Sequence, residues 1–164
     1  MSDKDNSKTD TSRGEWWVVT QLLLFGAIAL APRYLPDVSI WPAWLQTGVT
    51  PIGIGAIFVG MLLAGGGVFS LGNNLSPFPR PKDDSEFVKR GVYRIVRHPI
   101  YSGLLFLALG WSVLQTSTAA LVLTIVLGFF FDRKSAREEV WLSQKFAAYD
   151  NYRTRVRKLI PWLY

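Results

Sequence analysis

The sequence predicts an all-α integral membrane protein of about four transmembrane helices, including a tight hairpin, followed by a cytoplasmic carboxy-terminal amphipathic helix. Three observations support this prediction. Apolar residues make up 49% of the 164 residues. They are gathered in uncharged runs of roughly membrane-spanning length, and the lysines and arginines lie between those runs. A multi-pass membrane protein is therefore expected.

The first part of the chain predicts a tail and two transmembrane helices. Residues 1–15 are polar and of mixed charge, which is typical of a disordered tail. Residues 16–31 are uncharged and begin with two tryptophans, as at a membrane interface. A proline- and tryptophan-rich loop at residues 32–48 leads to a second span at residues 49–71. The glycines of this span predict close helix packing or the close approach of a ligand. The two helices form a predicted unit at residues 16–71.

Residues 72–164 are predicted to form the functional unit, which consists of a cytoplasmic loop, a transmembrane hairpin and a carboxy-terminal helix. After a proline-rich polar segment, residues 100–131 contain no charged side chain. This run is too long for one ordinary span and too short for two full ones, so we expect a tight hairpin turning near residues 115–118. The segment that follows has a stripe at helical spacing, which predicts one amphipathic helix: Leu142, Phe146, Tyr149, Val156 and Ile160.

The distribution of basic residues predicts the orientation. The tail carries 3 lysines and arginines, the first connection 1, the middle loop 6, the hairpin turn 0 and the carboxy-terminal segment 8, which accounts for all 18. Because lysine and arginine accumulate on the cytoplasmic side, both termini and the middle loop are expected there. The middle loop and the carboxy-terminal segment can then build one site.

Composition excludes several classes of site. There are no cysteines and only one histidine, His98, so neither a disulfide nor a metal site is predicted. The net charge of +6 would suit nucleic acid. However, the basic residues flank the apolar runs, which indicates attraction to lipid headgroups, so no nucleic-acid partner is expected.

Two groups of polar residues near the membrane boundary are candidates for chemistry. Glu138 and Glu139 flank the inward-facing stripe and need a cationic partner, because an unpaired buried charge is costly. Ordinary surface pairing with a lysine or arginine of the same segment is the alternative. In the run GVYRIVRHPIYSG, His98 lies beside Arg97 at the cytoplasmic start of the hairpin. Polar and ionisable residues cost free energy at the membrane boundary, so their presence there suggests a function.

These runs resemble a known family. KRGVYRIVRHPIYSG, the uncharged hairpin and REEVWLSQKFAAYDNYRTRVRKLIPWL together resemble the isoprenylcysteine carboxyl methyltransferase and phospholipid methyltransferase superfamily. The shared pattern is G-x-Y-x-x-x-R-H-P-x-Y-x-G, then E-E-x-x-L, F-x-x-Y-x-x-Y and I-P. The resemblance implies that S-adenosylmethionine binds on the cytoplasmic side, with these ligands: His98, Tyr101, Gly103, Glu138 and Glu139.

The chemistry of that cofactor suits these residue types. Its sulfonium and ammonium groups pair naturally with carboxylates, and its carboxylate pairs with Arg97 and His98, so Arg97 joins the predicted cofactor site. Methyl transfer depends mainly on positioning in a pocket without water, so no catalytic residue is assigned. The predicted acceptor is a small lipophilic or lipid-tailed molecule. Its candidate ligands are Tyr149, Tyr152, Arg155 and Arg157, and the alternative role of the two arginines is to anchor the membrane surface.

The sequence departs from the family in two respects, and other functions stay open. Lys134 occupies a position where relatives often have arginine, and the chain is shorter than the eukaryotic prenyl-protein enzymes, which makes a prenylated protein substrate less expected. A sterol-type membrane reductase that uses NADPH shares a similar R-H-P-x-Y-x-G run, and a non-catalytic protein could keep the same scaffold. The double glutamate and the paired tyrosines favour the methyltransferase. Carboxylate, amine and hydroxyl acceptors all fit, and the oligomeric state is not predicted.

Overall fold

The computed structural model describes residues 14–36, 41–76, 78 and 84–164, apart from the side chains of residues 43, 44 and 47. The secondary structure of these ranges is helical, which confirms the predicted fold class. Two 3₁₀ turns accompany the α-helices, at Gly72–Asn74 and Gly91–Arg94. The helices are α1 (Glu15–Tyr34), α2 (Ala43–Gly48), α3 (Thr50–Leu71), α4 (Pro99–Leu114), α5 (Thr118–Lys145) and α6 (Tyr149–Arg155).

The four predicted apolar segments are present as helices of unequal length. By length and composition α1 and α3 can cross a membrane, whereas α4 is a shorter apolar helix of 16 residues. Only the first half of α5 is apolar, because its charged residues begin at Asp132. Large apolar side chains on the outer surface are exposed, among them Leu23 at 68% and Phe69 at 90%. Such a surface suits a lipid environment.

The boundaries of the first span differ from the prediction. Helix α1 continues past Ala31 through Pro32 to Tyr34, and the predicted loop at residues 32–48 contains the short helix α2. Pro32 is tolerated because it lies in the last turn, where the backbone of Leu35 still donates a hydrogen bond to Ala31 at 3.0 Å. The predicted disordered tail lies mostly outside the described residues.

Close packing of α3 against α4 depends on glycines, as the glycine-rich second span predicts. A Cβ atom at Gly103 would lie 2.5 Å from the backbone nitrogen of Ala64 and 2.6 Å from the carbonyl oxygen of Gly60. A Cβ atom at Gly60 would in turn lie 2.8 Å from the carbonyl oxygen of Gly103. Glycine is required on both helices because their backbones are in contact.

The predicted hairpin is confirmed. Helix α4 ends at Leu114 and α5 begins at Thr118, so the turn falls within residues 115–118. Ser117 caps α5, since its hydroxyl accepts a hydrogen bond from the backbone of Ala120 at 3.2 Å. The hydroxyl groups of Ser112 and Thr124, 3.0 Å apart, join the two helices within the core.

The carboxy-terminal stripe does not form the single predicted amphipathic helix: Leu142 lies on α5 and Tyr149 on α6, and the other three residues lie outside both helices. Helix α5 runs from the hairpin to Lys145, the backbone is extended at Phe146, and α6 ends before Val156, which is also extended. The second break has a clear cause: Val96 and Arg157 form a parallel bridge, and the backbone N–H of Arg97 donates to the carbonyl of Arg157 at 2.7 Å. That pairing requires an extended chain.

Candidate functional site

The extended chain after α6 holds the histidine segment, residues 96–98, at the start of α4. The backbone N–H of His98 donates to the carbonyl of Lys158 at 3.2 Å, and the Ser102 hydroxyl is within hydrogen-bonding distance of the carbonyls of His98 and Leu159. Pro99 occupies the first turn of α4, where its missing N–H costs nothing. These contacts fix His98 beside the second half of α5.

An ionic cluster joins this segment to the double glutamate. The Nε atom of Arg97 donates to Oε1 of Glu139 at 2.8 Å, and Nε2 of His98 lies 3.1 Å from the same oxygen. Nδ1 of His98 lies 3.7 Å from Oε2 of Glu138. Burial acts to raise the pKa of Glu139, but the hydrogen bond and charge of His98, together with Arg97, lower it to about 2. The glutamates therefore gain partners from the histidine segment, as well as any on their own helix.

Tyr101 connects the cluster to the core. Its hydroxyl donates to Oε2 of Glu138 at 3.0 Å, and its ring stacks on Phe131 with centroids 4.8 Å apart. The ammonium of Lys134 lies 5.2 Å from the centre of the Tyr101 ring and donates to Oε1 of Gln21 at 2.7 Å. Burial raises the pKa of Glu138, although His98, the bond from Tyr101 and the charge of Lys134 act in the opposite direction.

A cavity of about 390 Å³ opens beside this cluster. It lies between α1, α3, α4, the second half of α5, α6 and the loop before α4. One end is charged, and the side towards the spanning helices is apolar. The predicted site residues on its wall are Arg97, His98, Tyr101, Glu138, Tyr149 and Tyr152.

The Tyr149 side chain carries an unsatisfied hydroxyl in this wall. The residue is only 2% exposed, and its oxygen has no hydrogen-bond partner among the described residues. Burial raises the pKa of Tyr149, so the hydroxyl stays protonated and can donate. Its neighbour Tyr152 differs, because its hydroxyl donates to the carbonyl of Tyr93. A buried donor without a partner costs free energy unless a ligand satisfies it.

Four predicted site residues do not line the cavity. Gly103 lies in the interface between α3 and α4, where it permits backbone contact. Glu139 is occupied by Arg97 and His98 and so positions residues that do line the cavity. The structure does not bring Arg155 and Arg157 to this cavity, because both line a separate concave surface beyond Glu139.

Several lining residues were not predicted. Gln21 contributes from α1 and Phe87 from the middle loop, where its ring packs against Phe146, Tyr149 and Tyr152 with centroids 5.3 to 5.8 Å apart. Gln21 had a usable signal, since it is a polar amide inside an otherwise apolar run. Phe87 had no such signal in the sequence, because an aromatic residue in a polar loop does not indicate which helices it contacts.

Comparison with known proteins decides the family. The model of the phospholipid methyltransferase family matches residues 49–149, which is more than half of the chain. The chain belongs to this family. The matched range includes the histidine segment, the hairpin and the double glutamate, so the family resemblance predicted from these runs is confirmed.

Individual relatives support the same family assignment. A probable protein-S-isoprenylcysteine O-methyltransferase of Oryza sativa subsp. indica is 30% identical over 119 residues, which cover 70% of this chain and 62% of that protein. Protein-S-isoprenylcysteine O-methyltransferase of Saccharomyces cerevisiae is 32% identical over 133 residues, which cover 78% of this chain and 56% of the yeast protein. The chain thus spans about three fifths of the length of these relatives.

A solved structure has the same fold. The eukaryotic intramembrane Ras methyltransferase, an isoprenylcysteine carboxyl methyltransferase, superposes with a TM-score of 0.65 at 20% identity. The match covers 94% of this chain and 54% of that one. The described helices therefore have the fold of that intramembrane enzyme.

Proposed function

We propose that this chain is a membrane methyltransferase that uses S-adenosylmethionine and acts on a small lipophilic or lipid-tailed acceptor. The observation that carries the proposal is the cavity, which has a charged end built from the histidine segment and Glu138 and an apolar side lined by α1, α3 and α4. The family supports methyl transfer, and the names of the relatives support a lipid-modified acceptor.

The residues at the charged end fit the polar groups of the donor. The Glu138 carboxylate suits a cationic sulfonium or ammonium, whereas Arg97 and His98 suit a carboxylate. The unsatisfied Tyr149 hydroxyl is the strongest sign of fit, because a buried donor in the wall is available to hydrogen-bond a ligand that enters. In this proposal Glu139 orients Arg97 and His98 rather than touching the ligand.

The apolar side of the cavity is proposed to hold the acceptor's tail. Its apolar lining residues come from three spanning helices: Val18, Val68, Leu71, Ile100 and Leu104. Because those helices stand in the bilayer, we propose that the acceptor enters from the lipid phase, while the donor reaches the charged end from the cytoplasm. The basic-residue distribution supports that orientation, with both termini cytoplasmic.

These residues can promote methyl transfer without a catalytic base. The bound donor supplies an electrophilic methyl group on a sulfonium. The protein orients the acceptor's oxygen, nitrogen or sulfur in line with that group, and the aromatic walls exclude water from the reacting atoms. His98 and Tyr101, stacked with ring centroids 5.6 Å apart, keep the charged end rigid. Positioning of this kind is the main contribution that we assign to the chain.

Calorimetry distinguishes the proposed methyltransferase from a reductase and from a non-catalytic protein. The full chain, purified in detergent, is titrated separately with S-adenosylhomocysteine and with NADPH. We expect saturable binding of S-adenosylhomocysteine and none of NADPH. The reverse result would assign the chain to the reductase class, and the absence of binding to either compound would favour a non-catalytic scaffold.

The variant His98→Ala tests whether the charged end is the donor site. Loss of this side chain removes a proposed ligand of the donor's carboxylate and one partner of both glutamates, so the affinity for S-adenosylhomocysteine should fall by roughly 2 kcal/mol or more. Wild-type affinity in a variant with unchanged helicity would place the donor elsewhere.

A further inference from the structure

A second concave surface of about 470 Å³ lies on the far side of the contact between Arg97 and Glu139. Its other walls come from the end of α6 and the chain that follows. Four basic residues there are Arg153, Arg155, Arg157 and Lys158.

Two of these four cations are already paired. Arg153 lies 3.5 Å from Asp150, and Lys158 lies 2.5 Å from Asp132. Arg155 and Arg157 are exposed, and neither forms an ion pair with any residue of the described ranges. The surface therefore carries two uncompensated guanidinium groups, which suit a phosphate group.

Contacts with the hairpin place this surface at the membrane boundary. Lys158 and the Tyr164 hydroxyl both bind Oδ1 of Asp132, the latter at 2.8 Å. Asp132 is the first charged residue after the uncharged run that ends at Phe131. Leu159 is buried in the same core cluster as Phe131. The chain after α6 thus lies where α5 leaves the bilayer.

An exposed apolar pair follows the arginines in the chain, and one of its members, Leu163, lines the same surface. Trp162 is 85% exposed and Leu163 is 76% exposed. Tryptophan is enriched at membrane interfaces, where its ring lies among headgroups. Two unpaired arginines share this surface with an exposed leucine, whose chain neighbour is an exposed tryptophan, and this combination is complementary to an anionic headgroup and the glycerol region below it.

We propose that this second surface binds an anionic phospholipid of the surrounding bilayer. Arg155 and Arg157 bind the headgroup phosphate, while Trp162 and Leu163 lie at the interface beside it. The site is distinct from the donor and acceptor cavity, from which Arg97 and Glu139 separate it, and it does not depend on methyl transfer. Its effect is to anchor the carboxy-terminal segment, which in turn holds the histidine segment in place.

The test measures lipid selectivity of the full chain. Protein is reconstituted in nanodiscs containing equal amounts of phosphatidylglycerol and phosphatidylcholine, and the lipids retained after release are identified by native mass spectrometry. The double variant Arg155→Gln with Arg157→Gln is compared with a control of equal charge change, Lys89→Gln with Arg90→Gln, which alters two exposed residues of the middle loop.

We expect the wild type and the control to retain phosphatidylglycerol preferentially. The preference should fall roughly 25-fold in the double variant, about fivefold for each arginine near the surface, with unchanged thermal melting. An equal preference in all three proteins would overturn the proposal, as would no preference in the wild type. Displacement of the retained lipid by millimolar inorganic phosphate would assign the surface to a free anion and also overturn it.

Discussion

Replacement of Glu139 by glutamine tests the ionic cluster directly. The carboxylate accepts from Arg97 at 2.8 Å and lies 3.1 Å from His98, and its side chain is only 11% exposed. These neighbours lower its pKa from 4.5 to about 2. At 1.36 kcal/mol per pKa unit, the ionised form is stabilised by roughly 3 kcal/mol in the folded protein.

The variant should lose most but not all of this stabilisation. Glutamine keeps the shape and one acceptor oxygen, and a neutral hydrogen bond retains about 1 kcal/mol, so Glu139→Gln should lower the free energy of unfolding at pH 7 by about 2 kcal/mol. Glu86→Gln, at an exposed position, is the control and should change it little. Both are measured by reversible denaturation of the detergent-solubilised protein.

The pH dependence provides the sharper check. Because the folded pKa lies below the unfolded value, the carboxylate's contribution is complete above pH 4.5 and is lost as the pH falls towards 2. The stability difference between the wild type and Glu139→Gln should therefore narrow with acidification through that window. Equal stability at pH 7, or a difference that grows as the pH falls, would refute the assigned contacts.

Three further predictions follow from single features. Tyr149→Phe removes the unsatisfied hydroxyl, so affinity for S-adenosylhomocysteine should fall roughly tenfold by calorimetry, while the protein's stability is unchanged or raised by about 1 kcal/mol. Gly103→Ala should destabilise the protein by about 2 kcal/mol or more in denaturation assays, because its Cβ would meet backbone of α3 at 2.5 Å, whereas Gly65→Ala, with nothing within 4 Å, should not. Single cysteines at Asp84 and Gln115, two exposed positions, should be labelled from opposite sides of the membrane, with Asp84 cytoplasmic; labelling of both from one side would contradict the proposed topology.

Local patterns were sufficient to predict much of the fold. The uncharged run at residues 100–131 predicted a hairpin and its turn, because a span length and a bilayer thickness are set by simple geometry. The glycine-rich second span predicted close packing, which α3 and α4 confirm. The sequence also singled out Arg97, His98 and the double glutamate as polar residues at the edge of apolar runs, and the structure brings them together in one cluster.

The partners of those charges were not predictable from local pattern. Spacing alone left open whether Glu139 pairs with a cation on its own helix or with Arg97, which is 42 residues away in the chain. Gly103 stands in a motif near the site, yet its contacts with α3 show that it serves packing. Gln21 and Phe87 line the cavity together with residues that are distant in the chain. Nothing in the sequence around either residue indicates which distant residues it meets.

The sequence by itself determined the all-α membrane class, the hairpin and the family, because hydropathy, charge placement and the two motifs are properties of contiguous residues. Only the tertiary structure decided that the carboxy-terminal segment divides into the end of α5, the short helix α6 and an extended chain. The break after α6 arises because Arg157 forms a bridge with Val96 in the chain before α4, a contact across about 60 residues. That same pairing sends Arg155 and Arg157 away from the cavity and towards the second surface. Helical periodicity could not reveal it, since an extended partner from elsewhere in the chain overrides local helix preference.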